Sequence, residues 1–134
     1  MFGSLDISTS ALIAQRTRME VISANLAGRY ALEDADGNYA PFRRRMAIFA
    51  SGDPATGSPD GVHVREVAID QSDLRRVYDP GHKFADKDGY VGYPNIDPAI
   101  EMVNALEASR AYEANITAAE ATKAMMQGAL RILA

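Results

Sequence analysis

The sequence predicts a mostly α fold, in which two long terminal helices, paired as a coiled-coil-like bundle, flank a small central β and loop segment. Three observations carry this. Apolar residues recur seven apart at both ends of the chain, the spacing of a helix packed lengthwise on other helices. Seven of the ten glycines and five of the six prolines fall between residues 29 and 96, which marks turns and short strands. Asp97 followed by Pro98 signals a helix start, because Asp caps free N–H groups and Pro suits the first turn. The expected units are an N-terminal helix within 1–28, a β and extended-loop segment over 29–96, and a C-terminal helix over 97–134.

The first helix is expected from about Leu5 to Ala27, a stretch that contains neither Pro nor Gly. Its stripe is Leu5, Leu12, Met19 and Leu26, widened by Ala11 and Ile22. Gly28 follows and suits a helix C-cap. At ~1.5 Å per residue this helix is roughly 35 Å long. In the middle segment, Asp36-Gly37-Asn38, Gly52-Asp53-Pro54 and Ser58-Pro59-Asp60-Gly61 read as turns. Short strands are expected between them, from Phe42 to Phe49, Val62 to Ile69 and Leu74 to Tyr78, forming one small antiparallel unit. From Pro80 to Pro94 irregular structure is expected, anchored by Phe84, Tyr90 and Tyr93.

The last helix carries a strict heptad: Met102, Ala105, Ser109, Tyr112, Ile116, Ala119, Lys123, Met126, Leu130 and Leu133. Glu101 lies near the positive end of its dipole and Arg131 near the negative end. Gly128 is its weak point, costing about 1 kcal/mol relative to Ala. At ~1.5 Å per residue it is roughly 55 Å long, half again as long as the first. The two seams can pack on each other, but the longer one must keep part of its apolar face uncovered. Such a face marks an interaction surface, and the termini are expected to be ordered by assembly.

Composition removes several function classes. Lys plus Arg is 14 against 18 for Asp plus Glu, a net charge of −4, so nothing global attracts a phosphate backbone. Arg43-Arg44-Arg45 is the strongest basic run; without aromatic interleaving it reads as solvated strand charges or as salt bridges to a neighbouring subunit. No nucleic-acid partner is expected. The chain has no cysteine, which excludes disulfides, thiol catalysis and Cys-based zinc sites. No apolar stretch reaches membrane-spanning length. Met1 to Ile13 lacks the pattern of a cleaved signal peptide, which by itself suggests a cytoplasmic protein.

Candidate sites have bland readings that fit better. Asp34-Ala35-Asp36-Gly37 and Asp86-Lys87-Asp88-Gly89 resemble calcium loops. Setting either glycine at the sixth position leaves the first carboxylate and the terminal Glu unfilled, so plain Asp-Gly turns are expected, with no metal and no cofactor. His63 sits among strand residues. His82 could be paired on paper with Asp79 and Ser72 as a hydrolase, but no nucleophile elbow is present. No enzymatic activity is expected. Met125, Met126 and Tyr112 lie on the helix seam, either as core or as an intersubunit contact. On residues alone, a cytoplasmic helical adaptor using that seam on a single partner stays open.

Several motifs point further. Ser23-Ala24-Asn25-Leu26-Ala27 closes the first helix. Tyr78-Asp79-Pro80, Ala85-Asp86, Gly89-Tyr90-Val91 and Pro94-Asn95-Ile96 follow in order. Glu101-Met102-Val103 and Ala108-Ser109-Arg110-Ala111-Tyr112-Glu113-Ala114-Asn115 lie on the last helix. In this order and spacing the chain resembles the flagellar rod and hook axial protein family, its proximal-rod members in particular. The likeness departs at Gly28, where the family usually has Asn, and at Lys83, where a Pro is common. It implies a structural subunit of the basal-body rod that is needed for motility. Such subunits polymerise through their terminal helices, with copies of themselves and with other rod proteins, into a shaft that transmits torque across the periplasm. It also implies passage through the flagellar type III export apparatus without a cleaved signal, which displaces the cytoplasmic reading. The surrounding rings and the peptidoglycan are then candidates for contact. The expected subunit interface is Leu5, Leu12, Met19, Ile22, Asn25 and Leu26 of the first helix with Met102, Tyr112, Ile116, Met126, Leu130 and Leu133 of the second.

Overall fold

The computed structural model describes residues 2–134; Met1, the first residue of the expected N-terminal unit, lies outside them. Helix α1 spans Phe2–Gly28 and helix α2 spans Pro98–Leu133, with strands β1 (Arg45–Asp53), β2 (Ser58–Ile69), β3 (Arg75–Tyr78) and β4 (Tyr90–Tyr93) between them. The start of α2 is as expected: Asp97 accepts the N–H of Ala99, and Pro98 opens the helix.

The middle segment holds two separate two-stranded antiparallel sheets, where a single β unit was expected. In the first, β1 and β2 form a long hairpin running from Arg45 opposite Ile69 to Asp53 opposite Ser58. Two expectations are corrected here. Ser58-Pro59-Asp60-Gly61 lies inside β2, and the reversal falls at residues 54–57 instead. Pro59 falls in the irregularity of the ladder between the Ser51–Val62 and Asp53–Ser58 pairs, where a strand tolerates proline. Asp53 accepts the Ala55 N–H and the Thr56 hydroxyl and closes the turn. The second correction is β4. Residues 80–94 were expected to be irregular, yet Tyr90–Tyr93 pairs with Arg75–Tyr78. Glycines at 89 and 92 depress strand propensity there. The strand is held by a cross-strand Tyr78–Tyr90 edge contact at 5.3 Å and by the Tyr39 hydroxyl donating to the Gly92 carbonyl at 2.8 Å.

The helices run antiparallel. Ser4 meets Thr122 at 3.3 Å, Arg18 meets Glu107 at 3.1 Å, and Asn25 meets Glu101 at 3.1 Å. Helix α1 is the middle layer, with α2 against one face and the β1–β2 hairpin against another; α2 does not pack on the hairpin. Buried Ala14, Ile22 and Ala108 form the helical part of the core, while Leu32, Val91 and Ile96 form a second part beneath the loops. The expected anchors join that second part: Phe84 packs on Tyr39, and Tyr93 stands edge-on to both Tyr30 and His82.

Gly28 is not a left-handed cap. It ends α1 without a positive φ, and its reason is space: a Cβ there would lie 2.7 Å from the Phe42 ring. Phe42 folds back onto that bare backbone, and its N–H bonds the Ala31 carbonyl at 3.0 Å.

Candidate assembly surface

Helix α2 packs on α1 through small and polar residues. The inward stripe runs Glu101, Ala105, Ala108, Tyr112, Asn115, Ala119, Thr122 and Met126, all buried or half-buried. Alternating steps of four and three make this a heptad. It shares Ala105, Tyr112, Ala119 and Met126 with the stripe read from the sequence. The alternate positions are shifted by one residue, so Glu101, Ala108, Asn115 and Thr122 face inward instead of Met102, Ser109, Ile116 and Lys123. Ala105, Ala108, Ala119 and Thr122 make much of this stripe small. The large apolar side chains are turned outward as a consequence.

Apolar residues left uncovered fall in two groups, with Ile116 between them. Near the start of α2 stand Ile100, Met102, Val103 and Leu106, each more than half exposed. Ile116 lies on the same flank at 36%. With Ser4 level with Thr122, the last turns of α2 extend beyond the start of α1. Met125, Leu130, Ile132 and Leu133 are exposed on this overhang, the last two at 87% and 84%. Large apolar side chains exposed together at both ends of one helix mark an interaction surface.

The expected interface residues divide accordingly. Met102, Ile116, Leu130 and Leu133 are exposed. Leu5, Leu12, Met19, Leu26, Tyr112 and Met126 are half-buried along the helix pair, where a neighbour could complete their cover. Ile22 and Asn25 are buried at 6% and 1% and are already used inside the chain.

Asn25 belongs to a buried polar node that sequence reading missed. Its amide donates to the Arg45 carbonyl at 2.8 Å and to Glu101 at 3.1 Å, while its oxygen accepts the Arg45 N–H at 2.9 Å. Arg44 Nε donates to the other oxygen of Glu101, which is 1% exposed. One node thus ties α1, α2 and the start of β1. The hints in the sequence were Asn25 within its motif and an acidic residue within the apolar start of α2. The reading of the arginine run is corrected at Arg44 alone. Arg44 is internal, Arg43 donates to the Ser72 carbonyl at 2.7 Å, and Arg45 lies 5.2 Å over the Phe42 ring.

The remaining candidates have local employment. Asp34 accepts the N–H groups of Asp36 and Asn38, and Asp86 those of Asp88 and Tyr90. These are the turn contacts expected of Asp-Gly loops. In both, the backbone N–H donors hold the carboxyl below its ordinary range, with Arg76 adding to the effect at Asp86. His82 Nδ1 accepts the Phe84 N–H, the Ser72 hydroxyl pairs with Asn95, and His63 Nδ1 lies 2.7 Å from the Gly52 carbonyl. These contacts draw His82 and Ser72 to different partners. Among the described residues no cluster has the makings of a metal site, and no helix is long and apolar enough to cross a membrane.

Comparison with known proteins agrees with this architecture. Residues 5–27 match the family described as flagella basal body rod protein, and residues 87–132 match the flagellar basal body rod FlgEFG protein C-terminal family. The first lies within α1, and the second covers β4 and nearly all of α2. The chain is 41% identical to flagellar basal-body rod protein FlgC of Bacillus subtilis, over 98% of this chain and 97% of that one. It is 38% identical to FlgC of Borreliella burgdorferi, with 99% and 97% covered, and 41% identical to FlgC of Salmonella typhimurium, with 94% and 92% covered.

Proposed function

The chain belongs to the FlgC family of flagellar basal-body rod proteins, and from that premise we propose that it polymerises through its terminal helices into the proximal rod, the shaft that carries torque across the periplasm. It is a structural rod protein, and its contribution is shape and adhesion. The observation that carries the proposal is the set of large apolar residues that α2 leaves uncovered, at its start from Ile100 to Leu106, at Ile116, and on the overhang from Met125 to Leu133. Copies of the chain and other rod proteins would supply the missing cover. Export through the type III apparatus fits a cysteine-free chain with a small core, since it must pass unfolded and then regain its helices.

The test is Ile116→Asp. Ile116 is 36% exposed in the single chain, so the isolated subunit should keep its circular dichroism and its solubility. In an assembled rod the new carboxylate would be trapped in a dry seam, at a cost of several kcal/mol. Rods should fail to form and cells should not swim. Normal swimming by this variant, or absence of the wild-type chain from purified basal bodies, refutes the proposal. The second outcome would favour a cytoplasmic adaptor using the same seam.

A further inference from the structure

A cleft of about 660 Å³ opens between the N-terminal half of α1 and the outer end of the β1–β2 hairpin. Ile7, Ile13 and Ala14 of α1 face Val62 and Val64 of β2 across it, and Asp6, Asp53 and Asp60 stand around it. Its lining contains no Lys or Arg. Ile7 and Ile13 are 44% and 63% exposed, too much apolar surface for a finished wall. The hairpin is pinned beside the cleft by Ser10, whose hydroxyl accepts the Val62 N–H at 3.1 Å. Gly61, at φ +88°, lets that hydroxyl approach where a Cβ would sit 2.8 Å from it.

We propose that this cleft receives the α2 overhang of a neighbouring copy of the same chain. The inference rests on the rod reading and names the partner of one of its surfaces. The chemistry of the two parts is complementary. Residues 124–134 contain Arg131 and no acidic residue, and among the described residues Arg131 is in no ion pair. The overhang offers Met125, Leu130, Ile132 and Leu133 to the apolar walls, and Arg131 to the three aspartates. The lengths agree as well. Ten helical residues extend about 15 Å, and the stretch of α1 from Gly3 to Thr17 that lines the cleft extends about 21 Å. The chain cannot fill its own cleft, because α2 lies on another face of α1 and does not pack on the hairpin. A contact in which each copy gives its tail and offers its cleft is heterologous, so it propagates as an open chain and does not close as a pair.

The absence of cysteine makes paired cysteine substitutions a clean probe. The double variant Ile13→Cys with Ile132→Cys, in full-length protein in flagellated cells, should give a ladder of oxidised multimers in purified basal bodies. Either single variant should give no ladder. A second double variant, Leu106→Cys with Ile132→Cys, asks whether the tail lies instead on the exposed start of α2 in the next copy. Swimming and recovery of each variant in basal bodies show that it has folded and assembled. Cross-linking through Leu106 alone, cross-linking only to a different rod protein, or no ladder in assembled rods would each overturn the cleft proposal while leaving the rod reading intact. Absence of even the wild-type chain from basal bodies would overturn both.

Discussion

Glu101 has almost no access to water, and its two oxygens are divided between Arg44 and Asn25. A charge in that position is tolerable only while its partners are present. Arg44→Ala should therefore destabilise the chain by about 3 kcal/mol, because it leaves the carboxylate buried with one amide donor. Glu101→Gln, which keeps the shape and removes the charge, should cost clearly less. Urea denaturation of both variants checks this, and equal losses would show that the charge is irrelevant. At Gly28 the competing effects are propensity and space. Alanine favours a helix by about 1 kcal/mol, but its Cβ would sit 2.7 Å from Phe42 Cδ1 and Cγ. A ring anchored in a packed loop cannot yield like a flexible chain end, and overpacking of this kind costs about 1–3 kcal/mol. Gly28→Ala should be net destabilising in the same assay; a gain in stability would mean that Phe42 is free to move.

Among the elements, legibility in the sequence followed the kind of force that holds each one. Both helices and the Asp97-Pro98 start were readable, since capping and periodicity are local signals. The face that α2 turns inward was read one residue out at alternate positions. Hydrophobicity points to Met102 and Ile116, whereas close approach selects Ala108, Asn115 and Thr122, and size complementarity leaves no mark in a hydropathy pattern. Asn25 could be flagged by its motif but not its partners, because Arg44 and Glu101 meet it only through tertiary folding. Strand β4 was missed for a related reason: its stability comes from tyrosine pairing and from the loop that delivers it, not from its own residues. That loop makes a prediction. Asp86 accepts the N–H groups of Tyr90 and Asp88 and pairs with Arg76 at 2.8 Å, so its carboxyl titrates below the ordinary value of 3.8. A group whose pKa is depressed on folding lends full stability above its unfolded pKa and loses it as pH falls through the folded value. The β3–β4 unit should thus loosen below about pH 4, and Asp86→Asn should weaken it at neutral pH while flattening the acid limb. Tyrosine fluorescence or amide exchange across Tyr90–Tyr93 reports both, and an unchanged acid limb would dismiss the carboxylate's role.

At the scale of the whole molecule, the chain is organised so that its loop segment can close on itself while its long helices cannot. The loop segment has Val91 and Ile96 buried beneath it and a shell of aromatic contacts. The helix pair has a thin seam, and α2 continues past its partner with Ile132 and Leu133 in water. An unsupported helix of about 10 residues is marginal, since propagation over so few bonds barely repays nucleation. The free subunit should therefore show markedly less helix by circular dichroism than the full lengths of α1 and α2 would give. Its amides from Met125 onward should exchange fastest, with the frayed region extending along α2 toward Tyr112 as the chain is warmed. Helix content should rise with subunit concentration, because each neighbour supplies apolar cover that the chain lacks. The loop segment should keep its tyrosine environment throughout, as its core is its own. Full helicity in dilute solution, with slow exchange to the end of α2, would mean that the overhang is stable without company. The apolar surface of α2 would then need a reason other than assembly.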